Sequence, residues 1–149
     1  MTDPMFSLQS FSIEAETTAG TDVLDLTPQV AAKVRDAGVS AGLLTLFISG
    51  STAALTTIEY ESGAVQDLKA AIERLFPQDL DYRHDRRWGD GNGYAHVRAA
   101  FLKPSLSIPI DQGRLQLGTW QQIVLLDFDN RPRQRLIRGQ VLGFQPATG

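Results

Sequence analysis

Only two long stretches of this 149-residue chain place apolar residues at helical spacing, and the other apolar runs are short and bounded by turn formers. In the first stretch Val30, Ala31, Val34 and Ala37 form one face, Thr27 is a cap for free N–H groups, Pro28 takes the first helical position and Gly38 is the stop. In the second, Val65, Leu68, Ile72, Leu75 and Phe76 recur after a capping Ser62, and Pro77 prevents continuation. A short helix is also expected over residues 95–102, ended by Lys103-Pro104. The rest reads as β-structure. Residues 6–13 alternate like a half-buried strand, with a slip near Ser10, and residues 42–49 form an apolar run too short for an ordinary helix. Residues 54–61 are rich in Thr, Ile and Tyr, which suit a pleated surface. The C-terminal third reads as a β-meander. Strands over 105–110 and 114–117 flank Asp111-Gln112-Gly113, and strands over 121–128 and 134–144 flank Asp129-Asn130-Arg131-Pro132. Strict strand–helix–strand alternation is absent. The expectation is one α+β domain over residues 1–149, a mostly antiparallel sheet or sandwich with two main helices packed to one side.

A chain of this length buries enough surface to fold around a single core. The 14 basic and 17 acidic residues give a net charge of −3, which argues against a partner made of nucleic-acid backbone. With no cysteine, a disulfide framework, a thiol nucleophile and thiolate metal sites are excluded. No apolar run approaches the roughly 20 residues that cross a bilayer, so no membrane partner is expected. The start, Met1-Thr2-Asp3-Pro4, has no basic cluster and does not read as a signal peptide, which leaves a cytoplasmic protein as the expectation.

The two histidines, His84 and His96, lie in or next to the one long polar segment, residues 78–94. Two neutral imidazoles with a carboxylate suit Zn, Mn or Fe, although their spacing matches no compact motif, and ordinary surface histidines are the competing reading. Arg83, Arg86, Arg87 and Arg98 offer paired donors for a phosphate; the competing reading is a solvated face balanced by Asp81, Asp85 and Asp90. Glu59 is a candidate general base or metal carboxylate, or else a strand residue pointing to water. Gly50-Ser51-Thr52 joins two strands and offers hydroxyl and backbone N–H donors, and Trp120 belongs in the core or at a subunit contact.

Several runs together resemble one known family. They are Tyr82-Arg83-His84-Asp85, Asp90-Gly91-Asn92-Gly93-Tyr94-Ala95-His96-Val97-Arg98-Ala99, Pro104-Ser105-Leu106-Ser107-Ile108-Pro109, the run from Gly113 to Ile123, and Asp127-Phe128-Asp129. In this order they resemble the YjbQ family over nearly the whole chain. The resemblance implies a compact α+β domain, a homotrimer, and a secondary thiamine-phosphate synthase activity. That reaction joins a pyrimidine-methyl diphosphate to a thiazole phosphate and expels pyrophosphate. The implied cofactor is a divalent metal ion (Zn, Mn or Mg), and the implied partner is a small phosphorylated molecule. The implied assignments put metal on His84 and His96, phosphate or substrate on Arg83, Asn92 and Arg98, and proton transfer or completed coordination on Glu59 or Asp90.

The chain departs from the family pattern at three positions. A family His-Thr-Ser-Ala run reads Gly50-Ser51-Thr52-Ala53 here, so a third imidazole is replaced by Gly50. Ile58 stands where many members have Asn, and Tyr94 stands where some have His. Two expectations therefore stand side by side. One is an enzyme whose metal site is completed by a carboxylate; the other is a degenerate, non-catalytic trimer that binds a small anionic metabolite.

Overall fold

Eight strands form two antiparallel sheets in the computed structural model, which describes residues 5–146; residues 1–4, read above as no signal peptide, lie outside the described residues. The larger sheet takes β1 (Phe6–Thr17), β8 (Arg133–Phe144), β3 (Ala41–Ile48), β5 (Ser105–Asp111) and β6 (Arg114–Leu115), in that spatial order. The smaller sheet is β2 (Asp22–Asp25), β7 (Gln122–Asp127) and β4 (Ala53–Ile58). The first strand runs straight through Ser10 without a slip, paired with β8 from Phe6↔Phe144 to Thr17↔Arg133.

The faces follow the two-residue period of a strand. Leu44, Leu46 and Ile48 of β3 pack inward with Ile137 and Val141 of β8, while Leu43 and Phe47 point out. β7 is buried on both faces. Its Ile123 and Leu125 join the core between the sheets, and its Val124 and Leu126 join a second core under the helices. Each such side chain contributes about 1.5–3 kcal/mol through burial, so the small sheet serves as the middle layer of the molecule.

Four helices stand among the described residues: the two main ones expected, the short one expected over 95–102, and one more. α1 (Thr27–Ala37) puts Val30, Val34 and Ala37 into the core between the sheets. α2 (Ser62–Leu75) and α4 (Gly93–Leu102) cover the outer face of the small sheet through Ile72, Tyr94, Ala95 and Ala99. α3 (Arg83–Trp88) lies inside the polar segment that had been read as loop, because charged residues on every side hide its periodicity. α1 thus serves the core between the sheets, and α2 and α4 the core on the outer face of the small sheet. Both expected caps also move by one residue. Thr27 instead accepts a hydrogen bond from the Ile123 N–H at 2.8 Å, and α2 is capped by Glu61, which accepts from Gly63 and Ala64 at 2.7 and 3.0 Å. The expected turn after Asp111 is present, with Gln112 and Gly113 both in the left-handed region.

The expected hairpin of the last two strands does not form. β7 and β8 belong to different sheets, so Asp129-Asn130-Arg131-Pro132 carries the chain across the sandwich. Gly50-Ser51-Thr52 makes the same change of sheet between β3 and β4. The Phe128 N–H donates to the Thr52 carbonyl at 2.9 Å, which ties the two crossings together at one end of the molecule.

Candidate functional site

A cleft of about 360 Å³ opens at these crossings. Gly50, Ser51 and Thr52 line it with Arg133 and Arg135 of β8, His84 and Trp88 of α3, Asp90, Asn92, and His96 of α4. Asn130 Nδ2 donates to the Asp90 carbonyl at 2.8 Å, which holds the α3–α4 connection against the crossing. Gly93 allows the two helices to meet so closely, since a Cβ there would lie 2.5 Å from the Tyr82 Cβ.

The arginines are placed by strand parity. Arg133 and Arg135 share the inward face of β8 with Ile137 and Val141, at the end where the sandwich core gives way to polar groups. Asp127 holds Arg135 from two sides, accepting from Nε at 2.6 Å and Nη2 at 2.8 Å. It also accepts from the Thr17 hydroxyl at 2.7 Å. Arg135 Nη2 donates in addition to Thr52 Oγ1 at 2.7 Å. Asp129 accepts from Arg133 Nε at 2.7 Å, from Asn92 Nδ2 at 3.2 Å and from Thr52 Oγ1 at 3.1 Å. Neither terminal nitrogen of Arg133, nor Nη1 of Arg135, has a hydrogen-bond partner among the described residues. These donors are free for an anion.

Asp129 is fully buried and still ionised. Burial pushes its carboxyl up, but hydrogen bonds from Asn92, Arg133, the Asn130 N–H and Thr52 more than offset this and hold it at about 2, against an ordinary 3.8. A carboxyl lowered by folding stabilises the protein above its unfolded pKa, and that contribution is lost as pH falls through the folded pKa. Asp129→Asn should therefore cost about 2 kcal/mol at neutral pH, a penalty that shrinks as pH falls towards 2. Urea unfolding of both proteins across that range checks the sign.

On the opposite wall the imidazoles of His84 and His96 meet, with ring centroids 4.2 Å apart and planes tilted by 41°. His84 Nδ1 lies 3.3 Å from an Asp90 carboxylate oxygen and 3.6 Å from one of Asp85, yet it is buried with neither in line for a hydrogen bond. Ligand atoms of His84, Asp85 and Asp90 all lie within 4.8 Å of one another. Asn92 Oδ1 is also buried without a partner, because its Nδ2 is committed to Asp129. Asp85 Oδ1 accepts from the Gly93 N–H at 2.8 Å, but His84 Nδ1 and Asn92 Oδ1 gather beside the carboxylates without partners, a set of groups that suits a cation. His96 stacks on this group, and burial, together with the neighbouring His84, lowers its pKa and favours the neutral ring.

Other sequence candidates lie elsewhere. Arg98 is buried on the far face of α4, where it donates to the Phe76 carbonyl at 2.7 and 3.0 Å and pairs with Glu73 at 2.5 Å. It also lies over the Tyr94 ring. It locks α4 to α2 and does not line the cleft. Arg83 is exposed and outside the cleft lining, Arg86 pairs with Asp81 at the surface, and Arg87 lies over Trp88. Glu59 is exposed beyond the end of β4 opposite the cleft, so within one chain only Asp90 of the two carboxylates is near the histidines. Trp120 is 72% exposed, which removes it from the core. The groups missed were Asp85, Asp127, Asp129, Arg133 and Arg135. The legible sign of Arg135 was a charged residue in phase with Ile137 and Val141.

A family model described as UPF0047 protein YjbQ-like matches residues 11–144. The chain belongs to the YjbQ family. A UPF0047 protein of Archaeoglobus fulgidus is 36% identical over 116 residues, covering 78% of this chain and 88% of that relative. A UPF0047 protein of Synechocystis is 36% identical over 128 residues, covering 85% and 86%. Among solved structures, a hypothetical protein of Aeropyrum pernix superposes with a TM-score of 0.84 at 30% identity, covering 91% of this chain and 98% of that one. A YbjQ-like protein of unknown function from Sulfolobus solfataricus gives 0.82 at 28% identity, covering 92% and 99%. The α+β, antiparallel two-sheet fold is thus that of the YjbQ family.

Proposed function

We propose that the cleft binds a small phosphorylated molecule beside a divalent cation, as a transferase of the thiamine-phosphate synthase type needs. One observation supports this reading above the others. A single cleft sets guanidinium donors without partners against a buried, partnerless imidazole nitrogen and the Asp90 carboxylate, with Asp85, held by the Gly93 N–H at 2.8 Å, beside them. His84, Asp85 and Asp90 are the residues that would hold the ion. When bound, it would neutralise charge building on a departing diphosphate. Arg133 and Arg135 bind and orient the phosphate, and their counter-ions Asp127 and Asp129 fix them from behind. His96, kept neutral, presents an unprotonated ring nitrogen that accepts a proton from the substrate.

A second reading shares the anion and drops the chemistry: a trimer that binds an anionic metabolite without turnover. Gly50 favours it, since the implied third imidazole is missing. Calorimetric titration with inorganic phosphate and with Mn or Zn separates the two. Arg133→Ala should weaken phosphate binding about tenfold to a hundredfold, and His84→Ala should abolish tight metal binding. Phosphate binding with no metal affinity selects the second reading. Binding of neither by the parent protein overturns both.

The reading includes assembly as a homotrimer. The outer face of the large sheet carries Phe6, Leu8, Leu43, Leu142 and Phe144, all exposed. Register sets them in two rows, Phe6↔Phe144↔Ala41 and Leu8↔Leu142↔Leu43. A contiguous apolar face of this kind is suited to contact with further copies of the chain.

A further inference from the structure

We propose that Gly50 is the residue that opens a seat for a tetrahedral oxyanion, formed by Arg135 Nη1 and the backbone N–H groups of Gly50, Ser51 and Thr52. The inference rests on the reading above that a phosphorylated molecule enters the cleft, and it names where the phosphoryl group sits. Arg135 is a buried side chain, 8% exposed, whose Nε and Nη2 are committed to Asp127 and Thr52. That leaves Nη1 as its one terminal nitrogen without an acceptor. A Cβ built on Gly50 would stand 3.0 Å from this nitrogen, so the absent side chain is what keeps it open. The guanidinium cannot swing aside cheaply, because the paired hydrogen bonds to Asp127 fix its plane.

The loop adds donors of its own. Among the described residues the N–H groups of Gly50, Ser51 and Thr52 meet no acceptor, and all three residues line the cleft. Gly50 holds φ at +127°, a conformation that L side chains rarely adopt. Successive backbone N–H groups beside a fixed guanidinium suit the geometry of a phosphate or another tetrahedral dianion. Arg133 closes the other side with its free terminal nitrogens. Position 50 thereby sets what this wall of the cleft prefers: a glycine favours an anion, whereas a larger side chain presses on its cation.

Inorganic phosphate is the probe. In the unaltered protein, amide resonances of Gly50, Ser51 and Thr52 should shift during a phosphate titration and saturate with the affinity measured by calorimetry. Gly50→Ala should weaken phosphate at least about tenfold, the cost of losing one charge-assisted hydrogen bond. Gly38→Ala, which adds a Cβ at φ +65° with nothing within 4 Å, controls for a Cβ added at a positive φ away from the cleft and should keep the affinity. Phosphate binding that depends on Arg133 but leaves the three amides unmoved overturns this seat and leaves the wider reading standing. So does Gly50→Ala binding as tightly as the parent. No phosphate binding at all overturns both.

Discussion

Asp127→Ala is expected to destabilise the folded chain by about 3–5 kcal/mol, because it strands the Arg135 guanidinium in a buried site without its counter-ion. Against a typical stability of about 5–15 kcal/mol, that is enough to unfold a large share of the protein near physiological temperature. The carboxylate is fully buried and takes hydrogen bonds from two nitrogens of Arg135, the Thr17 hydroxyl and the Asp129 N–H. Alanine therefore takes the paired acceptor from one charge and leaves the Asp129 N–H unsatisfied, while the Thr17 hydroxyl keeps only the Arg133 carbonyl at 3.2 Å. Urea unfolding should show the lowered midpoint. The double change Asp127→Leu with Arg135→Met should recover much of the loss, since an apolar pair of similar volume leaves no buried charge unpaired. The double variant would fold but not bind phosphate, which separates the stability role of the pair from its binding role. An Asp127→Ala protein within about 1 kcal/mol of the parent would mean that the Arg135 charge reaches water instead of staying buried.

The second large effect concerns assembly. If the chain assembles as proposed, Leu142→Glu should convert the trimer to monomers, because the carboxylate would sit in the middle of the apolar rows on the outer face of the large sheet, between Leu8 and Leu43. Burying that charge without a partner costs about 3–5 kcal/mol per copy, which far exceeds what one leucine contributes to a contact. Light scattering on a size-exclusion column at several concentrations reads the result. Gln134→Glu, at the polar end of the same strand face, is the matched control and should leave assembly unchanged. A parent protein that runs as a monomer at every concentration, or a Leu142→Glu protein that stays trimeric, would remove this face from the proposal.

Much of the fold was legible because it is written in local periodicity. α1 and α2 stand where apolar residues recur every third or fourth position, and the Asp111–Arg114 turn stands where its residues demand one. The misread hairpin shows the limit. Asp129-Asn130-Arg131-Pro132 has the composition of a tight turn, but whether the strands beside it pair is a question of burial. Residues 123–127 are buried without interruption, as in a strand covered on both faces, whereas the strand after the turn largely alternates. Strands so different in pattern belong to different layers. The contrast was in the sequence, but a rule based on turns alone does not read it.

The site was legible in its histidines and not in its arginines. His84 and His96 stood out by rarity and by family resemblance, and both line the cleft. Arg98 sat in the same run and was drawn in with them, although helical geometry turns it to the opposite side, where Tyr94 and Glu73 receive it. Asp127 and Asp129 meet Arg135 and Arg133 from only eight and four residues away across the turn, but these arginines come to the histidines from a strand more than thirty residues further along the chain. Contacts of that span come from topology, which composition and spacing do not encode.

The double crossing between sheets bears on how binding and folding communicate. Since one wall of the cleft grows from the large sheet and its buried counter-charges hang from the small one, an occupant grips both layers together. Its affinity then adds to the cohesion of the entire sandwich instead of closing a local flap. A chain that loosens either layer gives up the pocket as a whole, so occupancy also reports that the fold is intact.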